Sequence, residues 1–368
     1  MTAVYHVISD AASIGGRARG IAVEQSVEMP VEGIDDPGVL EGIVGRVEDI
    51  SDRGDGVFAV RVGLAVATMR SGAGGVEAGQ LFNMLFGNSS IQDGVSLVDV
   101  EFPAEMVAGF GGPNWGVAGV RTRASAVGRA LTAGALKPQG LPAAGLAAIA
   151  GRLARGGIDL IKDDHGLADQ PYSPFQARVD AVADALEEAA GDTGRMAMYV
   201  PSLSGTLDDM RGQIRHAIGR GVTAFLIAPM IAGVANFAAL VREFPQAGFM
   251  THPTLSGIAR IAPPLFYGKL FRLLGADAVV YPNHGGRFGY SPATCLALAE
   301  AARAPWGHIR PCLPVPAGGM TLTRVGEMLN FYGPDTIVLI GGALLAARER
   351  LTADVAGFVE SVARHEFT

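Results

Sequence analysis

"GGIDLIKDDHGLADQPYSPFQARVDAVADALEEAA" (156–190) holds one complete structural unit. Its first part, "GIDLIK" (157–162), is a short continuous apolar run, as expected of a strand buried on both faces. A turn-rich cluster follows. Then "PFQARVDAVADALEEAA" (174–190) spaces apolar residues three and four apart, which predicts an amphipathic helix. The same beat recurs on either side, with strands predicted at "LTAGALK" (131–137), "MAMYV" (196–200), "VTAFLIA" (222–228), "AGFMTH" (247–252), "DAVVY" (277–281), "HIRPCLPV" (308–315) and "DTIVLI" (335–340). Eight strand–helix units over about 240 residues match a (β/α)8 barrel. An open doubly wound sheet is the alternative, but no GxGxxG follows a first strand.

Residues 1–125 read differently. "YHVISDA", "VFAVRVGLAVAT" and "VSLVDVEFP" predict strands, and "SIGGRARGIAVEQS" and "AGQLFNMLFGNS" predict helices. The fold class is therefore α/β: a small α+β N-terminal domain (1–122) followed by a C-terminal (β/α)8 TIM barrel (123–368). The glycine-rich "GFGGPNWGVAG" (109–119) is the expected linker.

Composition narrows the function classes. A chain of 368 residues with 49% hydrophobic and 18% charged residues has the material for a large core. A net charge of −7 and the lack of a Lys/Arg cluster argue against a nucleic-acid partner. Two cysteines, Cys295 and Cys312, make no disulfide framework and fit a reducing compartment, so a cytoplasmic location is expected. "GVTAFLIAPMIAGVANFAALV" (221–241) carries no charge, but Pro229, Gly233 and Asn236 interrupt it. It reads as a buried strand, a loop and an apolar helix rather than a membrane span.

Only three of the 29 basic residues are lysines: Lys137, Lys162 and Lys269. In a barrel the active site forms at the C-terminal ends of the strands. Lys137 ends the first predicted strand, and Lys162, Asp163, Asp164 and His165 end the second. His252 ends the fifth, and Asn283 and His284 follow the sixth. Two of three lysines and three of seven histidines thus converge on one rim. Asp164 and His165 could ligate a metal through oxygen and nitrogen, although two aspartates in a turn equally fit a cap. The pairs Gly318–Gly319 and Gly341–Gly342 follow the seventh and eighth strands, where backbone amides of such barrels bind phosphate. His252 taken alone fits a hydrogen-bonded core histidine as well as a ligand.

Several segments carry a resemblance. "ALKPQGL" (135–141), "GGIDLIKDDHGLADQPYSPF" (156–175), "PVPAGGM" (314–320) and "VLIGGAL" (338–344) resemble the large subunit of ribulose-bisphosphate carboxylase/oxygenase, RuBisCO. "VEQS" (23–26), "LFGNSS" (85–90) and "FGGPNWGVAGVR" (110–121) match upstream and in order. The resemblance implies a homodimer whose sites are completed by Glu24 and Asn88 of the partner's N-terminal domain. It also implies that Lys162 takes up CO2 as a carbamate, which needs a neutral amine that arginine cannot supply. The carbamate, Asp164 and the next residue would then hold Mg2+.

The departures point away from carboxylation. His165 stands where the family has glutamate, which opens the site to other divalent metals. The stretch "PNHGGRFGYS" (282–291) has no lysine, although the carboxylase needs one on that loop. Pro253 replaces the arginine that grips a second phosphate, Gln139 a lysine, and Ala317 a serine; "QSVEMP" lacks a Thr-Trp pair. The chain thus resembles a RuBisCO-like protein, the non-carboxylating branch, acting on a sugar monophosphate. The activity expected is proton transfer on 5-methylthioribulose 1-phosphate, as isomerase or enolase, with Lys137, Lys162 and His252 catalytic. The alternative is decarboxylation, transcarboxylation or hydrolysis of 3-oxo-isoapionate 4-phosphate, with His284 or Arg287 meeting the carboxylate. A third reading is an inactive phosphosugar-binding protein.

Overall fold

Residues 1–72 and 75–367 are described by a computed structural model; Thr368, the end of the expected barrel range, lies outside them. The chain divides into two units, Met1–Gly111 with Leu255–Phe266, and Gly112–Thr254 with Tyr267–Thr368. The last four residues of the glycine-rich stretch begin the helix Gly116–Arg123, which lies in the second unit.

The first unit is built on a four-stranded antiparallel sheet in the order β2-β3-β1-β4, where β1 is Thr2–Ile8, β2 Arg46–Asp52, β3 Val57–Gly63 and β4 Val95–Glu101. Alternate residues of β1, Ala3, Tyr5 and Val7, are buried, as a period of two requires of a half-covered sheet. The helix Ile14–Glu24 buries Ile14, Ala18, Ile21 and Ala22, its three-and-four spacing. The Tyr5 hydroxyl donates to the Leu85 carbonyl at 2.6 Å, joining β1 to the helix Ala78–Phe86. Strand β2 was not anticipated from the sequence. "RVEDISD" is a charged edge strand, so it lacks the apolar alternation that betrays an inner one. The segment "LAVAT" expected to continue β3 instead forms a short 3-10 turn over Val66–Met69.

In the second unit eight parallel strands occur among the described residues: β5 (Leu131–Leu136), β6 (Leu160–Asp163), β7 (Met198–Val200), β8 (Ala224–Ile227), β9 (Gly248–Thr251), β10 (Ala278–Pro282), β11 (Leu313–Ala317) and β12 (Ile337–Leu339). Every predicted barrel strand is present. They form two ladders, β12-β5-β6-β7 and β8-β9-β10-β11. One junction is bridged between Ser202 and Leu226. At the other, β11 presents Pro314 and Pro316. The Leu313 amide donates to Asp277 on the β10 side, so the two prolines face β12, where they offer no N–H. The Thr336 hydroxyl donates to the Pro314 carbonyl at 3.0 Å in place of a ladder bond.

The barrel interior is filled by Leu131, Ala133, Leu160, Val200, Leu226, Met250, Val280, Val315 and Leu339, among others. Trp115 packs into this core, and a methyl group at Gly248 would run into its ring. The uncharged stretch 221–241 folds as β8 followed by the helices Pro229–Ala232 and Val234–Glu243. No helix among the described residues is long and apolar enough to cross a membrane.

Candidate active site

Strand parity decides which side chains reach the mouth of the barrel. Side chains alternate across a strand, so Lys162 shares the inward parity of Leu160, and Asp164 continues it one step further. Lys137 stands in the same relation to Leu131 and Ala133, His252 to Met250, and Gly341 to Leu339. All of these sit at the C-terminal ends of their strands, the face where barrels of this kind place their chemistry.

The contacts follow that placement. Lys137 Nζ lies 2.6 Å from Asp164 Oδ1, and His165 Nδ1 is 3.3 Å from the same oxygen. The His165 and His252 rings stack at 4.3 Å with planes 9° apart. His252 Nδ1 is 2.6 Å from the Thr254 hydroxyl oxygen. The Lys162 amine, in a residue only 3% exposed, donates to the Asp163 carbonyl at 2.7 Å. A methyl group at Gly341 would lie 3.8 Å from Lys137 Cε, so the bare backbone after β12 borders that lysine.

Burial pushes the Lys162 amine down to about 8, opposed by the Asp164 and Asp163 charges and assisted by that of Lys137. A fraction of it is therefore the free base near neutral pH. Burial pulls Asp164 upward, but hydrogen bonds from His165 and Lys137 and the charges of both lysines hold it well below the usual carboxylate range. Burial, then the Lys162 and His165 charges, push His252 down to about 2, so its imidazole is neutral.

Asp163 has the opposite parity and turns away from the mouth. Its carboxylate accepts from Arg178 Nε at 3.0 Å, the Tyr199 hydroxyl at 2.8 Å and the Ser202 amide at 3.1 Å. Sequence reasoning grouped Asp163 with its neighbours and missed Arg178 and Tyr199 altogether. The available signal was the inward-facing position of an arginine on the helix Phe175–Thr193, one turn from Phe175.

The remaining candidates each make contacts of their own. Gly318 and Gly319 both adopt positive φ, 86° and 103°, and a side chain on Gly318 would meet the Phe288 ring. The Arg287 amide donates to the Gly318 carbonyl at 3.0 Å, docking the loop after β10 on the loop after β11. Gly342 begins the short helix Gly342–Leu345 directly after Gly341. The His284 ring packs at 4.5 Å from Phe331 on the helix Val325–Tyr332, and Arg287 lies exposed over the Phe288 ring at 5.3 Å. Neither of these contacts joins His284 or Arg287 directly to the Lys137–Asp164–His165–His252 group. In the first unit, Asn88 Nδ2 donates to Glu24 Oε1 at 2.8 Å and to Glu28 Oε1 at 2.7 Å. Glu28, which the sequence reading passed over, holds a left-handed φ of 58°.

Among the described residues no three His, Cys, Asp or Glu side chains come together as a ready metal cage. Asp164 and His165 supply one oxygen and one nitrogen donor. Lysine as an amine offers only N–H donors; as a carbamate it would add oxygen donors beside them.

Comparison with known proteins identifies the family. Residues 116–357 match the model of the ribulose bisphosphate carboxylase large chain, catalytic domain. The chain is 60% identical over 364 residues to a 5-methylthioribulose-1-phosphate isomerase of Rhodospirillum rubrum, covering 99% of this chain and 96% of that protein. It is 29% identical over 358 residues to a 2,3-diketo-5-methylthiopentyl-1-phosphate enolase of Geobacillus kaustophilus, covering 92% of this chain and 86% of that one. The crystal structure of a Rubisco-like protein from Rhodopseudomonas palustris superposes with a TM-score of 0.92 at 52% identity, covering 100% of this chain and 98% of the other. With matches of this extent, and no lysine in the loop 282–291, the chain belongs to the ribulose bisphosphate carboxylase large-chain family, among its RuBisCO-like proteins.

Proposed function

We propose that this protein is an isomerase of 5-methylthioribulose 1-phosphate, moving a proton between carbons of the sugar backbone. The observation that carries this reading is the convergence of Lys137, Lys162, Asp164, His165 and His252 at one barrel mouth, in a chain 60% identical to the isomerase named above. Residues 123–368 hold the chemistry, and residues 1–122 of a second copy supply Glu24 and Asn88 in a homodimer.

The residues fit a divalent cation, Mg2+ or another, on one condition. Lys162 as free base adds CO2 at Nζ and releases a proton, and the resulting carbamate joins Asp164 and His165 as the donor set. A cation bound there would stabilise negative charge on the oxygens of the deprotonated sugar. The chain's own groups do the rest. Lys137 Nζ, already held at 2.6 Å from Asp164, is placed to take a proton from one carbon and return it to another. His252 is too weakly basic to lead that transfer; its neutral ring instead hydrogen-bonds a substrate hydroxyl. The bare amides at Gly318, Gly319, Gly341 and Gly342 receive the phosphate. Pro253, rather than an arginine, at the opposing position suits a methylthio group at the far end and disfavours a second phosphate.

The test is incubation of the protein with 5-methylthioribulose 1-phosphate, Mg2+ and bicarbonate in D2O. Solvent deuterium should appear on carbon, together with an isomeric sugar phosphate. Unchanged sugar and no deuterium would overturn the reading. The enolase of Geobacillus kaustophilus motivates a parallel incubation with 2,3-diketo-5-methylthiopentyl 1-phosphate, where faster turnover would reassign the reaction to enolisation.

A further inference from the structure

Between β6 and the helix Phe175–Thr193 the chain runs through residues 164–174 without regular secondary structure. Asp164 and His165 are the first two residues of that segment, so whatever shapes the segment aims their side chains. One buried side chain grips it at two points and holds the end of the strand before it. Arg178, with no exposed surface, donates from Nε to the Asp163 carboxylate at 3.0 Å, from Nη2 to the Ala168 carbonyl at 2.9 Å, and from Nη1 to the Ser173 carbonyl at 2.7 Å. These contacts fall just before the segment, in its middle and near its end. The Tyr199 hydroxyl, from β7, and the Ser202 amide bind the same carboxylate and tie the ends of β6 and β7 together.

Stability alone does not account for this cluster. Burying a guanidinium and a carboxylate is costly, and well-packed apolar residues of similar volume commonly do as well or better. What the ion pair adds is geometry. The planar fork meets three acceptors in fixed directions, which a lysine ammonium does not reproduce. We propose that Arg178, together with Tyr199 and acting through Asp163, is a positioning residue that aims Asp164 and His165 into the barrel mouth. The proposal rests on the reading of Asp164 and His165 as cation-holding residues. Groups behind the ligands of a metal commonly set its affinity in this way.

Mn2+ is the probe. Binding is titrated by the electron paramagnetic resonance of free Mn2+, with bicarbonate present, for the full-length wild type and for Arg178→Lys, Tyr199→Phe and Arg272→Lys. Thermal midpoints are recorded in parallel. Arg272 is a buried arginine tied to the carbonyls of Ala301, Ile309 and Arg310, away from the mouth, and serves as the structural control. Arg178→Lys and Tyr199→Phe should weaken Mn2+ binding by about 10-fold or more. Arg272→Lys should lower the thermal midpoint and leave Mn2+ affinity unchanged. Should Arg178→Lys fail to fold, Tyr199→Phe, which removes a single oxygen, decides the matter. Mn2+ affinities within about twofold of wild type in the folded variants would overturn the proposal. A wild type that binds no Mn2+ would instead refute the cation-holding reading itself, and the proposal with it.

Discussion

Lys162 shows how much one side chain can be asked to do in a buried setting. The inward parity of β6 carries it into the barrel mouth, burial strips its water, and the amine loses part of its hold on the proton. Arginine in the same place would stay charged and could not take up CO2. Lys162→Ala and Asp164→Ala should each lower turnover by at least about 100-fold while leaving the circular dichroism spectrum unchanged. Near-normal rates in either variant would remove both residues from the mechanism. Glu28 poses a different residue-level problem. Its left-handed backbone is unfavourable for any residue with a Cβ, yet it holds a carboxylate against Asn88 at 2.7 Å. Glu28→Gly should raise the unfolding free energy by about 1 kcal/mol, read from urea midpoints, because glycine adopts that conformation without strain. A loss of stability would mean that the contact with Asn88 outweighs the strain.

At the scale of elements, helix Gly116–Arg123, β9 and β10 are joined through one carboxylate. Asp277 accepts from the Trp115, Gly116 and Phe249 amides at 2.6, 2.7 and 2.8 Å. Burial nonetheless dominates and pushes its carboxyl from an ordinary 3.8 up to about 6. Because the folded state then binds the proton more tightly than the unfolded chain, this group's contribution is full below pH 4. It is lost as pH rises through 6. The loss amounts to about 3 kcal/mol. Urea unfolding of wild type and Asp277→Asn at pH 3, 5 and 7 should show the wild-type-minus-variant gap in stability falling by about that amount as pH rises. A constant gap would mean that the three amides offset the burial. The same part of the barrel shows why Gly248 must stay small, since Trp115 occupies the space a side chain would need. Prolines 314 and 316 likewise explain why β11 and β12 meet without a ladder.

At the scale of the whole molecule the proposal of shared sites has a stoichiometric consequence. If Glu24 of one copy completes the site that contains Lys162 of the other, Glu24→Ala and Lys162→Ala homodimers should both be inactive. Unfolded together and refolded as a mixture, they should recover roughly one quarter of the wild-type rate, because half of the dimers are mixed and each mixed dimer has one intact site. No recovery, with mixed dimers demonstrated by differential tagging, would place both residues in the same copy's site, and an active Glu24→Ala homodimer would place Glu24 outside it. The acidic pair Glu24 and Glu28 on one asparagine amide makes this region worth testing, since both carboxylates already converge there.

The amino-acid sequence by itself determined the eight-fold strand–helix beat, the α+β segment ahead of it and the placement of Lys137, Lys162, Asp164, His165 and His252 at strand ends. Apolar runs and helical spacing are local signals, and strand parity follows from counting. The charged edge strand β2 escaped because an edge strand buries too little to need a pattern. Only the tertiary structure decided that Asp163 pairs with Arg178, that His284 packs on Phe331, and that His165 stacks on His252. Those pairings join residues far apart in the chain. They depend on how neighbouring strands and helices are brought together, which no local periodicity encodes.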